Sequence, residues 1–123
     1  MPTQTKRKLK VAIVGSRTFN NYGLMKEKFL HFTKGIEVIE IVSGGAKGAD
    51  TLAERLAEEL RITKHIILAK WKKYGRNAGP ARNRQIAEYA DVMIVFWDGK
   101  SRGAANAIKA MRKFKKPVKV VHF

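Results

Sequence analysis

The nine residues Val42-Ser43-Gly44-Gly45-Ala46-Lys47-Gly48-Ala49-Asp50 constrain this chain more than any other stretch. They follow an apolar run, Glu37 to Val42, that reads as a strand and carries Val38, Ile39, Ile41 and Val42. They lead into Thr51 to Arg61, where Leu52, Ala53, Leu56, Ala57 and Leu60 recur at helical spacing. Glycine accepts positive φ and lets backbone approach a ligand closely. A helix start leaves amides unpaired and carries a partial positive charge. Ser43, Gly44, Gly45, Lys47 and Gly48 are therefore candidate phosphate ligands; the alternative is a tight strand-to-helix turn without a ligand. The spacing is not that of a Walker A loop, because Lys47 precedes Gly48, and it is not the G-x-G-x-x-G dinucleotide fingerprint. Nucleotide, sugar phosphate and nucleic-acid backbone all stay open as ligands.

The rest of the chain repeats the same alternation. Leu9 to Val14 reads as a strand buried on both faces, ended by Gly15, Ser16 and Arg17, which offer a second phosphate or ribose contact or an ordinary loop. Leu24 to Phe32 reads as an amphipathic helix ending near Gly35. Phe19 and Tyr22, just before it, either stack on a base or seal the core. His65 to Leu68 and Val92 to Trp97 read as further strands, Ala81 to Ala90 and Ala104 to Phe114 as helices, and Val118 to Val121 as a short last strand after Pro117. This pattern predicts an α/β fold of three layers with a mainly parallel sheet of about five strands. In such a sheet the loops after the strands share the carboxyl edge. Gly15 to Arg17, Ser43 to Lys47, Arg82 with Asn83 and Arg84, and the turn Asp98 to Gly103, with Gly99 and Ser101 inside it, are thus expected in one crevice. Asp50 either caps the helix that follows it or meets a ribose or metal. With Asp98 it is the best candidate catalytic acid.

Charge narrows the partner. Lys and Arg number 26 against 10 Asp and Glu, a net +16 that exceeds what solubility asks of a small domain. A polyanion, most simply nucleic acid, is the expected partner; a general solubility adaptation is the alternative. Residues 1–8, with Lys6, Arg7 and Lys8, read as a basic arm, and 9–123 as one domain. Lys70, Trp71, Lys72, Lys73, Tyr74, Arg76 and Arg84 interleave aromatic and basic side chains, the mixture that base stacking and phosphate neutralisation require. Trp71 is equally readable as a lid on the fold. Arg82, Asn83 and Arg84 follow Pro80 at a helix start, where an anion would relieve the opposed dipole. Cysteine is absent, which excludes disulfides and thiolate chemistry. The scattered His31, His65 and His122 show no short-range zinc spacing, so no metal site is expected. No apolar run is long enough to span a membrane, and a cytoplasmic setting in a bacterial cell or phage-infected host is expected.

Four motifs in order carry a resemblance: Gly15-Ser16-Arg17-Thr18-Phe19, Ser43 to Asp50, Ala78-Gly79-Pro80-Ala81-Arg82-Asn83, and Phe96-Trp97-Asp98-Gly99-Lys100-Ser101-Arg102-Gly103. The sequence resembles the YspA-like branch of the SLOG superfamily, over nearly the whole chain after the basic arm. The resemblance implies a Rossmann-like fold and relatives that include single-stranded-DNA-binding DNA-processing proteins, nucleotide phosphoribohydrolases and sensors of NAD-derived nucleotides. It implies phosphate held by Ser43 to Gly48, and it matches Arg82 to the arginine of the hydrolases' Arg-Lys motif. Asp98 to Ala107 falls where those hydrolases carry Pro-Gly-Gly-x-Gly-Thr-x-x-Glu, but Ala104 and Ala107 replace the threonine and the glutamate. The carboxylate for N-glycosidic cleavage is thus missing. The expected function is binding of nucleic-acid phosphate backbone in a basic crevice, rather than catalysis. The alternatives are a receptor or sequestering protein for a small nucleotide, and a nucleotide hydrolase or Mg²⁺-dependent nuclease. No cofactor is required beyond a bound nucleotide or that Mg²⁺ under its own alternative, and a homo-oligomer is compatible.

Overall fold

The computed structural model describes residues 6–123. Five strands form one sheet in the order β3-β2-β1-β4-β5, every neighbouring pair parallel. In chain order the elements are β1 (Arg7–Gly15), α1 (Tyr22–Phe32), β2 (Ile36–Ser43), α2 (Ala49–Glu59), β3 (Thr63–Ile66), the short helix α3 (Trp71–Tyr74) with a 3-10 turn (Gly75–Asn77), α4 (Ala78–Tyr89), β4 (Val92–Trp97), α5 (Arg102–Lys113) and β5 (Val118–His122). β1 is central, and its alternation builds both cores. Leu9, Val11 and Ile13 face the layer holding Met25 and Phe29 of α1 and Ala53 and Leu56 of α2. Ala12 and Val14 face Ile86 of α4 and Ala107, Ile108 and Met111 of α5. A strand apolar on both faces is what a sheet covered on both sides demands. The expected three-layer, parallel, Rossmann-like architecture is therefore observed.

Several boundaries move, each for a local reason. Arg7 and Lys8, read as part of a free arm, belong to β1, pairing with Ile36 and Glu37. Leu9 is buried beyond them, so cutting the chain back through Lys10 removes most of the β1–β2 pairing as well as charge. β3 begins at Thr63 rather than His65, because Thr63 to Ile66 are the residues that pair with Glu40 to Ser43. The ladder ends where the Ile67 amide donates to the Ser43 carbonyl at 2.8 Å, and Leu68 peels away 62% exposed. α2 starts at Ala49, with Gly48 at its cap at φ +78°. The segment after Lys70 is helical, and α4 takes in Ala78 and Gly79 ahead of Pro80. A proline is tolerated there because the first-turn amides have no partner within the helix. α5 starts at Arg102, capped by the Ser101 hydroxyl, which accepts from the Ala104 amide.

Chain order places the reversal at β1. The chain steps outward through β2 and β3, then returns across β1 to lay down β4 and β5. The crevice of such a sheet opens outside the carboxyl ends of the strands at that reversal, which here is the gap between the loops following β1 and β4.

Candidate nucleic-acid interface

Three adjoining concavities occupy that gap, and Arg17 and Arg82 line all of them. The first, about 360 Å³, lies over Val14 to Thr18 and is walled by Asp50, Asp98, Ser101 and Gly103. The second, about 430 Å³, runs from Gly44, Gly45 and Lys47 to Leu68 and Trp71. The third lies between Trp71 and the start of α5 at Arg102 and Gly103. Loops after four strands thus converge as the topology requires.

Within the crevice, buried polar groups tie the loops together and exposed ones face outward. Ser16 is buried. Its carbonyl accepts from the amides of Phe19 and Ala49, and its hydroxyl accepts from the Asp98 amide at 3.1 Å. Gly15 packs so closely on β4 that a Cβ would lie 2.2 Å from the Phe96 carbonyl oxygen. Ser43, also buried, donates its hydroxyl to the Asp50 carbonyl. Asn83 has both amide hydrogens committed, to the Gly103 carbonyl and to Asn106 Oδ1, and its own Oδ1 accepts from Arg82 Nε at 2.9 Å. These residues hold the crevice in shape. Asp98 Oδ1 accepts from the Lys100 and Ser101 amides at 2.8 Å each. The amides of Ser101 and then Lys100 hold its carboxyl below its ordinary range. Gly99, at φ +82°, forms the tip of that turn and lines none of the three concavities.

Asp50 does not cap α2, one of the roles its spacing allowed. It is the second residue of that helix, and its carboxylate turns back to accept from the Ala46 amide at 3.2 Å. Burial pushes its pKa up to about 6, against the opposing pull of that amide, of the Arg82 charge and of the Gly44 and Gly15 amides. Arg82 Nη1 donates to the Gly44 carbonyl at 2.7 Å, so its guanidinium braces the glycine loop while the rest of its fork lines the crevice. Burial lowers its pKa, with Asp50 acting against the shift. Gly44 passes between them: a Cβ there would lie 2.2 Å from Arg82 Nη1 and 2.8 Å from Asp50 Oδ2. Gly45 and Gly48 have positive φ, and a Cβ on Gly48 would lie 2.4 Å from the Arg17 carbonyl oxygen.

The basic residues divide. Arg17 and Lys47 are exposed at the mouth. Trp71, 54% exposed, stands between the second and third concavities. Lys70, Lys72, Lys73, Tyr74 and Arg76 surround Trp71 in sequence without lining them. Arg84 points away and pairs with Glu88 at 3.2 Å. Lys6, Arg7 and Lys8 lie at the amino end of β1, about 26 Å of strand from the crevice. Phe19 is core, packed on Phe96 and Phe123, and Tyr22 donates its hydroxyl to Glu59. Arg102, within the turn Asp98 to Gly103 that the sequence places in the crevice, lines the third concavity. Sequence reasoning missed Leu68 as a lining residue, because it looks like ordinary strand. Among the described residues no group of three or more His, Asp or Glu converges in a metal-binding arrangement.

Comparison with known proteins adds lineage to this geometry. The family model described as DNA recombination-mediator protein A matches residues 2–73, more than half of the chain. The chain belongs to that family. Among its relatives, the Gene 61 protein of Mycobacterium phage D29 is 34% identical over 84 residues, covering 63% of this chain and 67% of that protein. DNA processing protein A from Streptococcus pneumoniae superposes with a TM-score of 0.71 at 23% identity, over 90% of this chain and 49% of that one. DNA processing protein A from Helicobacter pylori, a structure described for its single-stranded DNA binding mode, gives 0.60 at 24% identity, over 91% of this chain and 64% of that one. The chain thus spans about half of one solved DNA processing protein and under two thirds of the other. Those likenesses establish a shared Rossmann-like fold.

Proposed function

We propose that this chain binds nucleic acid, single-stranded DNA foremost, by seating backbone phosphate in the crevice and a base against Trp71. One observation carries the reading: Arg17, Lys47 and Arg82 gather around one opening beside an exposed tryptophan, in a chain of net charge +16. Phosphate contacts supply affinity without sequence preference, and an aromatic face accepts any base. The single-stranded DNA binding described for the Helicobacter pylori protein supports the choice of strand. Placement in the YspA-like branch, and a setting inside a bacterial cell or phage-infected host, accompany this reading. Among the described residues no helix is long and apolar enough to cross a membrane.

The catalytic alternatives find less support. Ala104 and Ala107 form an apolar wall of the crevice where N-glycosidic cleavage would need a carboxylate. Asp50 and Asp98 accept backbone amides, Asp50 from Ala46 and Asp98 from Lys100 and Ser101, which gives each a structural part in its loop.

Fluorescence anisotropy with labelled oligothymidylate tests the proposal. Lys47→Ala and Trp71→Ala should each weaken binding about tenfold or more, the first by removing a charge-assisted hydrogen bond and the second by removing a stacking face. Parent-like affinity in both variants would move the nucleic-acid site elsewhere.

A further inference from the structure

A second groove lies across α5 from the crevice, about 460 Å³, between that helix and the edge strand β5. Its floor is Ile108 and Val120, and its rim is Trp97, Lys109, Arg112 and His122. Lys109 and Arg112, three residues apart, share one face of α5. Both are exposed, and neither has a carboxylate within ion-pairing distance among the described residues. Trp97 and His122 face one another across the β4–β5 pairing, with ring centroids 5.6 Å apart. The Trp97 ring is fixed, because its Nε1 donates to the Ser101 carbonyl at 3.0 Å. Ser101 and Asp98 also wall the crevice, so the Asp98–Ser101 turn is the partition between groove and crevice. Two cations beside two rings, next to a phosphate site, fit an anion that carries an aromatic group.

We infer that this groove continues the path of the bound strand, holding nucleotides that leave the crevice over the Asp98–Ser101 turn, with Lys109 and Arg112 on phosphates and the rings of Trp97 and His122 against a base. The inference rests on the crevice reading above and extends its footprint. A second copy of this chain is a poorer occupant, since each copy brings a net charge of +16 to a rim that is already cationic.

The test compares two labelled oligothymidylates, one of about 5 nucleotides that fills the crevice alone and one of about 15 that reaches beyond it. The doubly substituted Lys109→Ala, Arg112→Ala protein should bind the short oligomer as the parent does. It should bind the long one about tenfold more weakly, with a salt slope shallower by about 1.4, or about 0.7 for each phosphate of a single strand that is no longer neutralised. His122→Ala should weaken only the long oligomer, by about fivefold, and leave the salt slope unchanged, because stacking releases no counterions. Equal weakening of both lengths would reduce Lys109 and Arg112 to diffuse charge and overturn the inference, as would unchanged binding of the long oligomer. A lower sedimentation mass in the double variant would assign the groove to self-association instead. If the parent binds neither length, the crevice reading falls as well; if it binds both and the variants do not discriminate, only the groove falls.

Discussion

Asp50 holds a buried carboxylate against the loop amides, which displaces its titration in the folded protein from that in the unfolded chain. Its folded pKa of about 6 lies above the ordinary 3.8. The folded state therefore keeps a proton that the unfolded chain has released between those values. This group's contribution is most favourable below about pH 4 and is lost as pH rises through about 6, a change of about 3 kcal/mol in all. Asp50→Asn, which keeps an acceptor for the Ala46 amide, should remove that slope and be more stable than the parent at neutral pH. Urea unfolding of both proteins from about pH 4 to about pH 7 checks it; parallel profiles would mean that Asp50 stays ionised throughout. Lys47 and Arg82 should separate in the same way. Lys47→Ala should lose affinity at unchanged stability, since its side chain lies at an exposed loop. Arg82→Ala should also lose about 1–3 kcal/mol of stability, because the Gly44 carbonyl loses its donor. That double duty of Arg82 was not legible in the sequence, where a basic residue at a helix start pointed only outward. Asp50 was equally opaque: the spacing allowed a forward cap, and only the fold shows the carboxylate turned back onto Ala46.

At the scale of elements, the glycine loop was the most legible part of the chain, and the structure gives its glycines different duties. Gly44 leaves room for Arg82, whereas Gly48 supplies a positive φ and lets the Arg17 and Ser16 carbonyls approach. Gly48→Ala should therefore destabilise the protein by more than about 2 kcal/mol, by strain at a position where side chains clash; a melting temperature within a degree or two of the parent's would contradict this. Strands β1 and β4 were readable because burial on both faces leaves continuous apolar runs, β2 because its carboxyl half, Ile41 and Val42, is buried beside the glycine loop, and α2 because its apolar face is clean. β3 was misplaced by two residues since Ile66, Ile67 and Leu68 look like strand while the ladder pairs Thr63 to Ile66. Apolar character there reflects the approach to the crevice rather than the sheet. The segment from Trp71 to Asn77 was legible in chemistry but not in form, since a single helical turn has too few residues to show a period. Only Trp71 of that segment reaches the concavities. Its exposure means that Trp71→Ala should leave stability within about 0.5 kcal/mol of the parent.

Across the whole molecule, charge acts on stability and on binding with opposite signs. A net +16 in 123 residues repels itself in the compact state, and salt screens that repulsion. Thermal stability should therefore rise as salt is added, over the same range in which affinity for nucleic acid falls through lost counterion release. A melting temperature that drops with salt would show that ion pairs such as Lys26–Glu59 and Lys64–Glu58 outweigh the repulsion. Polarity of charge was legible in composition, but its distribution was not: Lys6, Arg7 and Lys8 lie at the amino edge of the sheet, opposite the crevice. In the proposed binding mode nucleic acid seats at the carboxyl edge, around the reversal of strand order. For a chain of 13.9 kDa, amide chemical-shift mapping reads this directly. Titration of ¹⁵N-labelled protein with oligothymidylate should move Arg17, Gly44 to Lys47 and the Trp71 indole N–H most, leaving Gly35, Ile62 and Lys116 at the amino edge still. Shifts concentrated at Lys8, Gly35 and Lys116, with the Gly44–Lys47 amides unmoved, would put the nucleic acid at the amino edge instead.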